Sequence, residues 1–185
     1  MIEETLKEAG EKMDKSIVAL QNEFANVRTG RANPALFSSI TVEYYGTPTP
    51  LQQLASFQTP EARTILITPY DKGSLRDIED ALRNSDLGAN PANDGNVIRV
   101  VMPEMTEERR KEYIKLVSNK AEDARVSVRN VRRSAKSAID KFVKDGEIGE
   151  DEGVRGEKDL DALTKKHVDH IDELFKGKEA ELREV

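Results

Sequence analysis

The sequence predicts an α+β protein: an elongated antiparallel three-helix bundle with a small β-rich α/β domain inserted between its first and second helices. Three observations carry this. Apolar residues recur at steps of three or four in the first 27 residues, again from Ile114 to Phe142, and again between 157 and 182. Between the first two of these stretches that period disappears, and short alternating runs broken by Gly and Pro replace it. With 35% charged against 37% hydrophobic residues in 185, the core is thin, which suits long helices packed on narrow seams.

The first helix places Ile2, Leu6, Ala9, Met13, Ile17, Leu20, Phe24 and Val27 on one stripe, about 40 Å long at ~1.5 Å per residue. Gly30 stands where a helix C-cap wants positive φ, and Asn33-Pro34 blocks continuation, so the helix is expected to stop near Arg28. Ile40, Val42 and Tyr44 then alternate with Thr41, Glu43 and Tyr45 as a strand, and Gly46, Pro48 and Pro50 punctuate a turn. Tyr44 and Tyr45 fall on opposite faces, one core and one surface. Residues 54–57 and 64–68 read as further strands, 74–85 as a helix, and Asn93-Asp94-Gly95 ahead of Val97–Met102 as a hairpin turn.

Thr106 is a good N-cap and Glu107 and Glu108 suit the positive end of a helix dipole, so a long second helix begins there. Ile114, Val117, Ala121, Ala124, Val128, Val131, Ala135, Ala138 and Phe142 form the seam of this helix, which from Thr106 runs nearly 40 residues, or roughly 58 Å. Gly146 and Gly149 make a turn, and a third helix is expected over Glu157–Leu182 with Leu160, Leu163, Ile171, Leu174 and Leu182 inward. Three such stripes can be buried only against one another. The expected domains are therefore 1–30 with 105–185 for the bundle and 31–104 for the insertion. Two linkers, near 29–31 and 103–105, offer hinge positions at Gly30, Arg31, Pro103, Glu104 and Met105; a rigid elbow fits the same residues equally well.

Composition excludes several classes of function. No run of about 18 apolar residues exists to span a bilayer, and Met1-Ile2-Glu3-Glu4 is acidic where a signal peptide is basic, so a cytoplasmic protein without a membrane partner is expected. The absence of cysteine removes disulfides, thiolate nucleophiles and cysteine-ligated metals. There is no phosphate-cradling Gly-x-x-x-x-Gly-Lys-Ser/Thr and no Gly-x-Ser-x-Gly elbow. The acidic turn at 145–152 lacks calcium-loop spacing, and His167 and His170, three apart, have no third His or Cys to complete a metal site. No catalytic residue, metal or cofactor is expected.

The net charge of −6 hides segregation. Residues 109–136 hold 10 basic and 3 acidic groups, a segment of +7 in an acidic chain. Arg125, Arg129, Arg132 and Lys136 each follow a seam position by one residue and form a parallel stripe, with Arg133 beside them and Arg109, Arg110 and Lys111 extending positive charge toward the helix start. Guanidinium groups suit bidentate phosphate and base contacts. The plainer alternative is a solvated face that pairs with the acidic third helix. Repetition at one helical angle, and the absence of acids from 124 to 139, favour RNA. A structural adaptor whose stripe meets an acidic protein is the leading rival, and a phosphate-ester hydrolase is weakest because it lacks a site.

The order helix, inserted β domain, two long helices, together with Thr29-Gly30-Arg31-Ala32-Asn33-Pro34 and Val126-Ser127-Val128-Arg129-Asn130-Val131-Arg132-Arg133, resembles the ribosome recycling factor family over essentially all 185 residues. Asn84-Ser85-Asp86-Leu87-Gly88, Asn93-Asp94-Gly95 and Met105-Thr106-Glu107-Glu108-Arg109-Arg110 fall where that family has them. The resemblance implies an L-shaped, tRNA-like monomer that binds the post-termination 70S ribosome and splits it into subunits with elongation factor G and GTP. It implies that the bundle lies on large-subunit ribosomal RNA near an intersubunit bridge, through Arg132 first, then Arg129, Arg133, Arg28, Arg31 and Arg110, with Arg125 in the same stripe. The small domain would face the small subunit and elongation factor G, and GTP hydrolysis would belong to that partner.

Overall fold

The structure, a computed structural model, describes residues 1–27, 29, 31–85, 87 and 90–184. It is mixed α+β and mostly helical, with long helices in a bundle and a small β-rich part, as the periodicities predict. Two compact units are distinguished: Met1–Phe24 with Ile114–Ala180, and Ala25–Tyr113 with Glu181–Val185.

The first unit is built from α1 (Ile2–Ala25) and most of α4 (Glu107–Lys144) and α5 (Glu150–Arg183). Cross-contacts set the directions. Ser16 meets Ser127 and Glu23 meets Lys120, so α1 and α4 run antiparallel. Arg125 meets Asp172 and Arg132 meets Asp161, so α4 and α5 do too. Ile2 lies against Gly156 and Asp14 against His167, which makes α1 and α5 parallel. Ala9, Met13, Ile17 and Leu20 of α1, Val117, Ala121, Val128 and Ile139 of α4, and Leu160 and Ile171 of α5 are all buried.

Two expectations need correction. The α4 seam shifts toward its C-terminus: Val131, Ala138 and Phe142 are half-buried while Ile139, absent from the expected stripe, is core. A 3.5-residue pattern drifts by ~20° per heptad on a straight helix, so the buried position moves on by one. The third helix begins at Glu150, seven residues before the expected Glu157. Two of its glycines, Gly153 and Gly156, are sites of close approach. A Cβ on Gly153 would lie 2.6 Å from Val143 Cγ2, and one on Gly156 would lie 3.1 Å from Ile2. The true break is Gly146 at φ +73, where the Gly146 N–H donates to Val143 O and the Glu147 N–H to Phe142 O in a Schellman cap. At the other end α1 closes at Ala25, three residues short of the expected stop; the proposed cap Gly30 and its neighbour Arg28 lie outside the described residues.

A polar contact is buried between α1 and α5. The His167 ring places Nδ1 2.8 Å from the Leu163 carbonyl and Nε2 2.6 Å from Asp14 Oδ1, while only 7% of its side chain is exposed. This accounts for His167 structurally; His170 is exposed, and no group of three metal-capable side chains occurs among the described residues. Asp14→Ala strips a partner from a buried ring and should cost about 1–3 kcal/mol in urea unfolding. An unchanged midpoint would show that solvent replaces the carboxylate.

The second unit holds a hairpin of β1 (Thr41–Tyr44) and β2 (Thr47–Pro50), a one-turn helix α2 (Leu51–Leu54), and a four-stranded antiparallel sheet. The sheet comprises β3 (Ala55–Glu61), β4 (Thr64–Pro69), β5 (Asn90–Asn93) and β6 (Ile98–Val101) in the order β3-β4-β6-β5. Ile65 pairs with Val100 and Ile67 with Ile98, and all four are fully buried. Helix α3 (Leu75–Arg83) brings Ile78 and Leu82 into the same core, where Phe37 stacks on Phe57. The segment of Pro48 and Pro50, expected as a turn, is strand β2; β2 and the proline-containing β5 are both edge strands, where a missing N–H costs no ladder bond.

The β5–β6 turn behaves as Asn93-Asp94-Gly95 predicts. The Gly95 N–H donates to Asn93 Oδ1, and the Asn96 and Val97 N–H groups donate to Asp94 Oδ1 at 3.0 and 2.8 Å. Those two donors hold the Asp94 carboxyl below its ordinary range. A depressed folded-state pKa adds stability above the unfolded value and loses it as pH falls through the folded one. The acid limb of wild-type unfolding should therefore flatten in Asp94→Asn, and identical acid limbs would rule out this contribution.

Candidate nucleic-acid interface

Helix α4 presents the basic stripe, and the structure sorts its members by what they face. Arg125 is held down: its Nε and Nη2 each lie 2.8 Å from Asp172 Oδ1 on α5, and Nη1 lies 3.1 Å from Glu122. Arg132 donates from Nε to Asp161 Oδ1 at 2.7 Å and lies 3.9 Å from Glu157, with 28% of its side chain exposed. Lys136 bonds Asp140 at 3.1 Å, and that hydrogen bond raises its pKa. The acids missing from this stretch of α4 are thus supplied largely by α5. This is the plainer reading, and it applies to the file nearest that helix.

A second file points elsewhere. Arg129 has 48% of its side chain exposed, and its ion pair with Glu122 is 3.6 Å long. Arg133 is exposed and makes no ion pair among the described residues. Successive helical residues point about 100° apart, so Arg133 clears the α5 carboxylates that hold Arg132. Exposed Val126 and Asn130 stand at i−3 and i+1 from Arg129 on the same face. They escaped a reading that followed charge alone, although their spacing places them with the outer arginines.

The remaining predicted residues lie in the second unit. Arg31 is exposed, with Nε 3.4 Å from Glu184. Arg110 is half-buried, and its Nε is buried without a hydrogen-bond partner among the described residues. Arg31 and Arg110 line one cavity of about 370 Å³ with Arg63, Glu104, Met105 and Glu184. Of the proposed hinge positions, Pro103 and Glu104 are exposed and Met105 is buried. Arg28 and Gly30 fall outside the described residues.

A rigid helix with two outward arginines, backed by a second file whose orientation is fixed by acids, can grip phosphates at defined spacing. Comparison with known proteins decides the family. The model of the ribosome recycling factor family matches residues 20–182. The chain belongs to the ribosome recycling factor family. The ribosome-recycling factor of Kocuria rhizophila is 74% identical over 182 residues, covering 98% of each chain. That of Paenarthrobacter aurescens is 71% identical over 185 residues, covering all of both. A solution structure of the ribosome recycling factor superposes with a TM-score of 0.82 at 43% identity, covering 100% of this chain and 98% of the other. A second match, described as models for the T. thermophilus ribosome recycling factor and the E. coli elongation factor G bound to the E. coli post-termination complex, has a TM-score of 0.71 at 40% identity and covers 98% of both. Ribosome recycling factors are non-enzymatic translation factors. No helix among the described residues is long and apolar enough to cross a membrane.

Proposed function

We propose that this ribosome recycling factor binds the post-termination 70S ribosome as a monomer in the cytoplasm. With elongation factor G and GTP it promotes dissociation into subunits, docking the arginine face of α4 on large-subunit ribosomal RNA near an intersubunit bridge. The observation that carries the docking is the division of labour on α4. Arg125 and Arg132 are oriented by Asp172 and Asp161, while Arg129 and Arg133 face outward beside them. Pre-oriented guanidinium groups lose less freedom on meeting phosphate. Arg31 and Arg110 of the second unit, the latter with a buried Nε that has no partner among the described residues, are further RNA contacts in this reading, and Arg28 belongs to the same set by sequence.

The working division is a bundle of 1–30 with 105–185 and an inserted domain of 31–104, jointed near 29–31 and 103–105. Force applied to the inserted domain then reaches the ribosome through the rod. α4, 38 residues of uninterrupted helix, supports the rod. The decisive experiment is co-sedimentation with 70S ribosomes over a salt series, followed by a subunit-splitting assay with elongation factor G and GTP. Binding should fall with salt at a log–log slope of about −0.7 to −0.9 per neutralised phosphate and survive on protein-free ribosomal RNA fragments. No pelleting even at low salt would defeat the reading and favour an adaptor for an acidic protein.

A further inference from the structure

The second unit holds a cavity whose charges are out of balance. Arg31 lies in the chain after α1, Arg63 in the two-residue turn between β3 and β4, and Arg110 in the first turn of α4. All three line one space of about 370 Å³, within the second unit. Backbone bonds fix the approach. The Ala32 N–H donates to Ala62 O at 2.6 Å, and the Met102 N–H donates to Arg63 O at 2.7 Å, so the chain beside Arg31 and the chain leaving β6 are both pinned to the turn that carries Arg63. Two of the guanidinium groups stay unmatched although carboxylates are at hand. Among the described residues Arg63 and Arg110 make no ion pair, while Glu104 and Glu184 line the same space. Glu184 reaches Arg31 at 3.4 Å, between side chains 55% and 74% exposed, a pair worth little to folding. Arg110 Nε is buried with no hydrogen-bond partner among the described residues. A charged donor left buried and unmet is a costly feature for a fold to carry, and an apolar side chain carries no such cost. The guanidinium therefore points to something that enters the cavity.

Charge narrows the occupant. Three arginines against two glutamates leave one positive charge in the lining, which a singly charged anion matches and a doubly charged one exceeds. Guanidinium forks suit carboxylate and phosphate alike. Three of them arriving from three chain segments suit the tetrahedral oxygens of a phosphate better than the flat pair of a carboxylate, and neither carboxylate already present engages Arg63 or Arg110. A phosphate diester carries a single charge, whereas a monoester carries about 1.5–2 at neutral pH. Ala62 and the buried Met105 give the lining an apolar part, which suits the carbons of an ester.

We propose that this cavity binds one phosphate diester, with Arg110 as the buried donor and Arg31 and Arg63 as the outer pair. Arg31 and Arg110 thereby gain a common ligand, and Arg63, which stands alone in a turn and carries no sequence signal, joins them as a third contact. The proposal rests on the recycling reading only for the source of the diester, since an RNA backbone and a free small diester offer the same group. Its test titrates the full-length, isotope-labelled protein with dimethyl phosphate at constant ionic strength and follows the arginine Nε–H resonances by NMR. The Arg110 resonance should move and saturate, and the affinity should be about tenfold or more weaker in Arg63→Gln, as for one lost charge-assisted hydrogen bond. Arg110→Met is read by its thermal midpoint. Without ligand that midpoint should equal or exceed the wild-type value, and the rise that dimethyl phosphate gives the wild type should disappear. A short single-stranded oligoribonucleotide separates the sources in a background with Arg129 and Arg133 both replaced by alanine. Displacement of dimethyl phosphate from the cavity supports the proposal with the RNA backbone as ligand; binding that the oligonucleotide leaves intact supports it with a free diester. An Arg110 resonance that stays fixed, or that responds equally in Arg63→Gln, would overturn the site. Tighter binding of doubly charged inorganic phosphate would overturn the diester. A lowered midpoint of ligand-free Arg110→Met would overturn the unmet donor by showing that the fold itself employs it. No ribosome enters this experiment, so none of these failures touches the recycling reading, which sedimentation with 70S ribosomes tests separately.

Discussion

Replacing Arg129 and Arg133 together by alanine is expected to weaken 70S binding by about 2–4 kcal/mol, given 1.5–3 kcal/mol for a typical charge-assisted hydrogen bond and incomplete additivity. The log–log salt slope should become shallower by about 1.4–1.8 if each arginine neutralises one phosphate. Helix content and thermal stability should not change, because Arg133 has no ion pair among the described residues and Arg129 only a long exposed one. Arg132→Ala, the strongest single candidate from sequence, tests docking less cleanly. It also removes a 2.7 Å pair with Asp161, whose side chain is 52% exposed, and such a pair is worth at most about 1 kcal/mol. Asp161→Asn is the control that separates the two effects. If the double variant binds with wild-type affinity and slope, the outer file is not the RNA contact.

Phe37→Ala should destabilise the β-rich unit by about 3–5 kcal/mol, the cost of emptying a large buried aromatic site. Phe37 is fully buried and stacks on Phe57 with centroids 5.9 Å apart, at the centre of a core that includes Ile65, Ile78 and Ile98. That core draws on none of the seam residues of α1, α4 and α5 named above. The variant is therefore expected to keep most of its far-UV helical signal and its 70S binding while losing subunit splitting. Loss of binding in parallel with splitting would show that docking depends on both units and would refute the division between a gripping bundle and a force-receiving insertion.

Much of this was written locally. The apolar stripes that define α1, α4 and α5, the alternation that marks β1, β4 and β6, and the Asn93-Asp94-Gly95 turn follow from side-chain period and backbone preference, which act over a few residues. The family resemblance was legible in the same way, from contiguous motifs. Other features depended on residues far apart in the chain. The need for glycine at 153 and 156 shows only once Val143 and Ile2 are seen filling the space where their side chains would be. Pro48 and Pro50 look like turn residues until β2 proves to be an edge strand. A single basic stripe becomes two files only because Asp161 and Asp172 arrive from α5 to neutralise Arg132 and Arg125. The sequence by itself determined which segments are helix or strand and which family they compose. The tertiary structure alone decided which charges are spent within the fold and which face outward, because neutralisation depends on distance in space and local pattern carries no information about it.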